Sequence, residues 1–162
     1  MSSIKHEGRE RLKRKTIVLT IAGGVAFWLT NFAISLTQIA AEYRAALSIS
    51  YLPMIVESLV SGLIIAFLVS YFLIRFYDRV PMRNSILKSV LLSLIALIIS
   101  TILIELPSSF TAKGEFLHYF LIGALFNVLR FLALGIIIGY LYTRMVKGLI
   151  RSKMNPRSPR EA

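Results

Sequence analysis

The sequence predicts an all-α integral membrane protein, a bundle of four transmembrane helices with both termini in the cytoplasm. Three observations lead to this fold class. The chain of 162 residues is 56% hydrophobic and has a mean hydropathy of +0.71, which is too apolar for an ordinary soluble domain. Four segments reach the roughly 20 apolar residues that a membrane-spanning helix needs. The cations are concentrated on one side of these segments.

The four predicted spans occupy most of the chain, so we expect one domain with no separate catalytic or nucleic-acid-binding part. A basic tail precedes them at 1–15, and a second basic tail follows at 144–162. This second tail is rich in Pro, Ser and Arg, so we expect it to be disordered. Together the spans form a domain at 16–143, and they are 16–39, 54–76, 86–106 and 116–143.

The first span begins directly after the run of basic residues that ends at Lys15. It is expected to end near the sequence AAEYR, where Glu42 and Arg44 return the chain to water. A signal peptide is the main alternative, but its apolar region has only about 7–15 residues. We therefore expect this segment to be retained as a transmembrane helix.

The boundaries of the second and third spans are indicated by proline and capping residues. Pro53 suits the first turn of the second helix, where its missing N–H costs nothing. Alternatively, the helix begins near Ala45 and Pro53 kinks it. Pro81 stops the helix in the tight connection that follows, and Asn84 or Ser85 can cap the third span.

The positive charge is arranged as the positive-inside rule requires. Sixteen of the 19 Lys and Arg residues fall in the two tails and in the connection between spans two and three, where Arg75, Arg79, Arg83 and Lys88 lie. Both termini should therefore be cytoplasmic, in a multi-pass protein of the cell membrane. Juxtamembrane cations are attracted to anionic lipid headgroups, so the bilayer is a more natural partner than nucleic acid for these tails.

Small and polar side chains recur at helical spacing within each span. Lipid does not favour such residues, so they indicate the faces on which the helices pack, with Ser and Asn forming interhelical hydrogen bonds. The stripes are Gly24, Trp28, Asn31, Ser35 and Gln38 in the first span, Glu57 and Ser61 in the second, Ser89, Ser93, Ala96 and Ser100 in the third, and Gly123, Asn127 and Arg130 in the fourth.

The fourth span has a second stripe of small residues. Gly135 and Gly139 form the motif GIIIG, which lets two helix backbones approach closely. These glycines lie on a different face of the helix from Arg130. They favour contact with a neighbouring helix, and a second copy of the chain is one candidate for it, which would give a homodimer.

Arg130 lies inside the apolar stretch FNVLRFLALGIIIGYLY. A charged side chain at the bilayer centre costs about 2.5–3.5 kcal/mol, so Arg130 should find a partner or reach water. We expect Glu57 as its anion, with Glu105 as the second choice, because both fall within reach of a long side chain. The predicted intramembrane polar cluster comprises Arg130, Glu57, Asn127, Asn31, Gln38 and Glu105.

Three functions are compatible with this cluster. In the first, an Arg130–Glu57 ion pair only fixes the packing of the helices. In the second, the cluster lines an outward-facing cavity that binds a small anion or a lipid headgroup. In the third, the protein is a membrane enzyme, which requires a nucleophile and base or a metal set.

The enzyme reading has the least support in the sequence. The chain has no cysteine and only two histidines, His6 in the first tail and His118 at an outer helix end, so no metal cluster can be assembled from them. We therefore expect no cofactor, no metal and no catalytic residue. The leading prediction is a non-enzymatic accessory or interaction protein, and the alternative is a small transporter or channel-like protein that binds an anionic solute or headgroup through Arg130.

Overall fold

The structure is a computed structural model that describes residues 2–77, 79, 82, 84–105 and 116–154. This described part is helical, with short turns and connections and no strand. We label the helices in chain order. They are α1 (Ser2–Ser35), α2 (Gln38–Ala46), α3 (Tyr51–Arg75), α4 (Ser85–Ser100), which continues into a π-helical turn (Thr101–Glu105), and α5 (Phe116–Met154).

Four of these helices contain a segment that is long and apolar enough to cross a membrane, as the sequence predicts. Many of their large apolar side chains point outward; Leu52, for example, is 74% exposed. An apolar exterior is what a lipid environment requires. The four segments are Leu12–Ser35, Tyr51–Arg75, Ser85–Leu103 and Leu117–Lys147.

The helix of the first candidate span ends earlier than predicted. α1 stops at Ser35, because Thr37 begins a new helix by accepting a hydrogen bond on its hydroxyl oxygen from the Ala40 N–H (3.3 Å). Gln38 is therefore the first residue of α2 and does not continue the stripe of α1. At its other end, α1 extends back to Ser2 through the basic segment, where no proline interrupts it.

A break in helical conformation precedes the second predicted span, and a capping residue precedes the third. Ser48 has a φ of 54°, which interrupts the helical conformation between α2 and α3. Pro53 therefore lies in the first turn of α3, and the alternative of a kinked helix that begins near Ala45 is wrong. The Asn84 side chain accepts a hydrogen bond from the Ile86 N–H (3.1 Å) and so caps α4.

The last helix continues beyond the predicted span. α5 runs to Met154, so the expectation of a disordered tail is wrong for residues 144–154. No proline occurs in the sequence between Pro107 and Pro156, and the residue that precedes a proline is disfavoured in a helix. The remainder of the predicted tail, 155–162, lies outside the described residues.

Consecutive long helices run antiparallel, and the four together enclose one core. α1 packs against α3 and α5, while α4 packs mainly against α5 and less extensively against α3. One end of the bundle contains the start of α1, the connection from α3 to α4 and the end of α5, and we call it the basic end. We call the other end the opposite end. The buried core residues are Leu19, Phe27, Ala66, Val69, Leu73, Leu97, Phe131, Leu134 and Ile138.

The GIIIG stripe of α5 packs against α4 of the same chain. A Cβ added at Gly139 would lie 2.5 Å from the Ile86 Cα, and one at Gly135 would lie 2.9 Å from the Val90 Cα. The two backbones therefore approach as closely as the motif predicts. Because α4 occupies this face, the face is not open to a helix of a second copy, and a homodimer formed through it is not supported.

Small residues also define the face that α3 buries, although a different set from the one predicted. Residues at every fourth position are buried, namely Ser58, Gly62, Ala66 and Ser70. This spacing of four is visible in the sequence, but the predicted stripe followed Glu57 and Ser61 instead. Of the other predicted packing residues, Gly24, Ser89 and Ser93 are buried and Ser100 is half-buried.

Candidate functional site

The interior polar cluster is organised around Arg130 and Asn127 on α5. The Arg130 guanidinium donates a hydrogen bond from Nη1 to the Asn127 Oδ1 over 2.9 Å. Both side chains are half-buried. Asn127 lies one turn nearer the start of α5, so the guanidinium extends toward the opposite end of the bundle, the direction that helical side chains favour.

Asn31 of α1 lies at the same level of the bundle as Asn127. The rings of Phe27 and Phe131 meet edge to face, with centroids 5.5 Å apart, and this contact fixes the alignment of the antiparallel helices α1 and α5. One turn farther toward the opposite end, α1 carries Asn31 and α5 carries Asn127. The Asn31 side chain is only 1% exposed, so it faces the interior.

Two hydrogen-bond donors of α1 in this region are buried and have no partner among the residues that the structure describes. They are the Nδ2 of Asn31 and the indole Nε1 of Trp28. A buried donor that lacks an acceptor costs about 1–3 kcal/mol. Together with the guanidinium of Arg130, these groups make the region rich in donors, so the group that complements it is an acceptor, above all a negatively charged one.

Neighbouring hydroxyl groups do not supply the missing acceptor. Ser58 lies at the level of Asn31, because Gly62, one turn away on α3, packs against Phe27. Its hydroxyl donates to the Ile55 carbonyl oxygen of its own helix (2.8 Å). The hydroxyl of Ser35 likewise donates to its own helix (2.6 Å). Each of these serines is thus engaged within one helix rather than across helices.

Two of the other predicted members of the cluster, Glu57 and Gln38, lie elsewhere. The Glu57 side chain is exposed, whereas that of its neighbour Ser58 is buried. Gln38 is also exposed, and its Nε2 donates to the Glu42 Oε1 (3.0 Å) within α2. The backbone of Glu105 belongs to the π-helical turn, and its side chain lies outside the described part. The pairing of Arg130 with either carboxylate stays a prediction.

The short helix α2 packs against α1 and α5 at the opposite end of the bundle, near the cluster. Arg44 donates from Nη1 to the carbonyl oxygen of Ser35 (3.1 Å), which satisfies a free carbonyl at the end of α1. Tyr43 of the same short helix contacts the rings of Tyr119 and Phe126 on α5, with centroid distances of 6.3 and 5.8 Å. α2 is thereby attached to both helices that carry the cluster.

A second buried cation, Lys88, was missed in the sequence, where it was assigned to the headgroup-facing cations. Its side chain is only 5% exposed. The Nζ donates to the Tyr77 carbonyl oxygen and lies 3.9 Å from the centroid of the Tyr77 ring. One feature of the sequence indicates its burial. Lys88 follows Ser85 by three residues, so it lies on the side of α4 that also carries Ser85 and Ser89.

An open groove among the described residues is remote from Arg130. It has a volume of about 430 Å³ and lies beside the beginning of α1, toward the basic end. Its described lining consists of Glu10, Lys13, Arg14, Ile17 and Val18. The mixed charges and the open shape suit contact with a membrane surface better than enclosure of a small molecule.

The chemistry of the cluster is that of recognition rather than proton transfer. A guanidinium and amide groups donate hydrogen bonds, but they are poor general bases and poor nucleophiles. No group of three or more His, Asp or Glu side chains that could hold a metal ion occurs in the part of the chain that the structure describes. His118 is exposed near the start of α5 and contacts the ring of Tyr119.

Comparisons of the chain with known protein families, with curated proteins and with solved structures give no match. The function is therefore inferred from the residues and their geometry alone.

Proposed function

We propose that this chain is a non-enzymatic, multi-pass membrane protein that acts by binding, and that the cluster around Arg130 binds an oxyanion. The ligand is an anionic solute or the headgroup of an anionic lipid. One observation carries the proposal: the buried Nδ2 of Asn31 lacks an acceptor at the level where Arg130 donates to Asn127.

Charge and geometry both support an anion as the ligand. A guanidinium presents several N–H groups in a planar fork that matches the oxygens of a carboxylate or a phosphate. Asn31 supplies a neutral donor from a second helix, and Trp28 supplies another one turn away. An anion held between α1 and α5 would accept hydrogen bonds from the Asn31 Nδ2 and the Arg130 guanidinium, which removes the cost of leaving the Asn31 donor unpaired.

The orientation that we propose in the membrane has the basic end in the cytoplasm. Exposed cations at that end include Lys13, Arg75, Arg79 and Arg144, in agreement with the positive-inside rule. The guanidinium of Arg130 extends toward the opposite end, so the ligand would reach the cluster from the non-cytoplasmic side. Entry would pass α2, whose attachment by Arg44 and Tyr43 can regulate access.

A thermal unfolding assay on the purified full-length chain in detergent tests the proposal. Phosphate, sulfate, succinate and phosphatidylglycerol are added separately, with chloride as the reference. We expect at least one of these probes to stabilise the wild-type protein, by about 2.7 kcal/mol at 100 times its dissociation constant. Arg130→Gln and Asn31→Leu should each abolish this stabilisation. Lack of stabilisation by all four probes would contradict the proposal.

The matched control is Arg144→Gln, which removes the same charge from the same helix at an exposed position outside the cluster. It should retain the stabilisation by the same probe. If Arg144→Gln and Arg130→Gln reduce the effect equally, the probe is attracted by net charge and not by the cluster, and the proposal fails.

A second candidate is the accessory or interaction protein that the sequence favours. The observation in its favour is a ladder of aromatic rings on the outside of α3. Phe67 and Tyr71 have ring centroids 6.3 Å apart and Phe72 and Phe76 have centroids 5.7 Å apart, and Phe67, Tyr71 and Phe72 are exposed. Aromatic rings are common at the centres of protein interfaces.

Photo-crosslinking tests this role. A photoreactive amino acid at Tyr71 should capture one defined membrane protein, whereas the same group at Leu29, which is exposed on α1, should capture only lipid. Equal products from the two positions would contradict a docking role for the ladder.

A further inference from the structure

The basic end of the bundle contains a cation that the proposed function does not use. Lys88 lies in the second turn of α4, and its side chain is 5% exposed. Its described contacts are with the carbonyl oxygen and the ring of Tyr77. Both are neutral, so they attract the ammonium without neutralising its charge.

No ion pair of Lys88 with a carboxylate is found among residues 2–77, 79, 82, 84–105 and 116–154. Removing a charged group from water costs several kcal/mol unless an opposite charge or good hydrogen bonds compensate. An ammonium has three N–H donors, of which the Tyr77 carbonyl accepts one. The site therefore has donor capacity and positive charge that an anion could use.

Three hydroxyl groups belong to Tyr77 or to residues of α4 within one turn of Lys88. The Ser85 Oγ and the Tyr77 Oη share a hydrogen bond of 2.8 Å. The Oγ of Ser89, the residue next to Lys88, is fully buried and makes no hydrogen bond. The ring of Tyr142 from α5 packs against that of Tyr77 with a centroid distance of 4.9 Å, so α4, α5 and the connection that follows α3 meet at the site.

The position of the site selects the type of anion. Lys88 is three residues from the start of α4, or about 5 Å along the helix axis. This depth is near the level of lipid phosphate groups when the helix crosses a bilayer. The positive end of the α4 helix dipole points toward the same region. Lysine commonly binds phosphate as a point charge, and serine and tyrosine hydroxyls can donate to phosphate oxygens.

We propose that Lys88, with the hydroxyls of Ser85, Ser89 and Tyr77, forms a second anion site, which binds a phosphate group at the basic end of the bundle. The phosphate belongs to a lipid headgroup or is free in solution. This inference goes beyond the proposed function and does not depend on it, because its residues lie at the other end of the bundle from Asn31 and Asn127.

The test measures the binding of two probes to the purified full-length chain. Native mass spectrometry follows phosphatidylglycerol, and thermal unfolding follows inorganic phosphate against chloride. We expect one probe or both to bind, and their comparison distinguishes a headgroup from free phosphate. Lys88→Gln should weaken the binding by about tenfold or more, as the loss of a charge-assisted hydrogen bond implies. Lys88→Arg, which keeps the charge, should retain most of it.

Lys13→Gln is the matched control, because it removes the same charge from an exposed position toward the same end. It should change binding by less than about twofold, as expected of a screened surface charge. If the Lys88→Gln and Lys13→Gln variants bind the probe with equal affinity, the proposal is wrong. It is also wrong if the wild-type chain binds neither probe.

Two further measurements keep the test decisive. Amine labelling of the wild-type chain needs no variant. The bound probe should slow the labelling of Lys88 and leave that of Lys13 unchanged. If Lys88 is labelled at the same rate with and without the probe, the proposal is contradicted. Asp78, the acidic residue nearest to Tyr77 in the sequence, lies outside the described residues. If Asp78→Asn restores stability that Lys88→Gln has lost, Lys88 is paired with Asp78 and the anion site does not exist.

Discussion

Phe27 of α1 and Phe131 of α5 meet edge to face in the centre of the bundle, with ring centroids 5.5 Å apart and an interplanar angle of 80°. Both rings are almost fully buried. The contact aligns two helices that are more than 80 residues apart in the sequence. Because Asn31 and Asn127 each lie one turn beyond these rings, the aromatic pair determines which polar groups share a level in the interior.

The aromatic pair should contribute measurable coupling energy. Phe27→Leu and Phe131→Leu keep apolar volume but remove the ring contact. A double-mutant cycle, measured by denaturant unfolding in detergent, should give a coupling of about 0.5–1.5 kcal/mol. The same cycle between Phe131 and Phe67, which is exposed on α3, should give almost none. Equal coupling in the two cycles would show that the rings do not interact specifically.

The two asparagines of the cluster should respond in opposite ways to replacement by leucine. Asn127→Leu removes an acceptor of the Arg130 guanidinium, so we expect a loss of about 1.5–3 kcal/mol. Asn31→Leu removes a buried donor that has no acceptor, so the ligand-free protein should be unchanged or more stable. Thermal unfolding without added anions checks the difference. Strong destabilisation by Asn31→Leu would assign that residue to packing rather than to ligand binding.

The closest approach of two helices should be the least tolerant of an added methyl group. A Cβ at Gly139 meets the Ile86 backbone, whereas one at Gly23 meets side-chain atoms of Ile138, which can move. Both substitutions to alanine raise helix propensity equally. Gly139→Ala should therefore destabilise the protein by about 1–3 kcal/mol more than Gly23→Ala. The comparison requires only their unfolding midpoints in one detergent, and a smaller effect at Gly139 would be inconsistent with the α4–α5 contact.

Arg44 should hold α2 in place. Its guanidinium donates to the Ser35 carbonyl and lies 5.2 Å from the centroid of the Tyr51 ring. Arg44→Gln should therefore speed amide hydrogen exchange across α2 several-fold, with little change in α3. Arg75→Gln, at an exposed position at the end of α3, serves as the control and should leave α2 unchanged. Unaltered exchange in α2 of the Arg44 variant would mean that other contacts hold this helix.

The orientation in the membrane can be tested cleanly, because the chain has no cysteine of its own. Lys13→Cys places a thiol toward the basic end, and Ala41→Cys places one on α2; both positions are exposed. In intact cells, a membrane-impermeant maleimide should label Ala41→Cys at once and Lys13→Cys only after permeabilisation. The reverse pattern would place the basic end outside the cell.

The sequence was sufficient for the number, the type and most of the extent of the helices that are long and apolar enough to span a membrane. Length, hydropathy and capping residues such as Asn84 are properties of a single helix. The preference of an apolar helix for lipid does not depend on which helices become its neighbours. Errors at helix ends arose where local capping was overlooked. Thr37 separates Gln38 from α1, and the basic segments before and after the spans continue as helix.

Only the tertiary structure decided which polar groups meet. The sequence placed Glu57 and Asn31 at compatible depths, but the face of α3 that packs against α1 contains Ser58, and Glu57 is exposed. It assigned Gly139 to an unknown neighbour, which proves to be α4, and it left Lys88 among the surface cations. The physical reason is that hydropathy determines whether a helix enters lipid, whereas close packing between distant helices determines how each one is rotated and which side chains face inward.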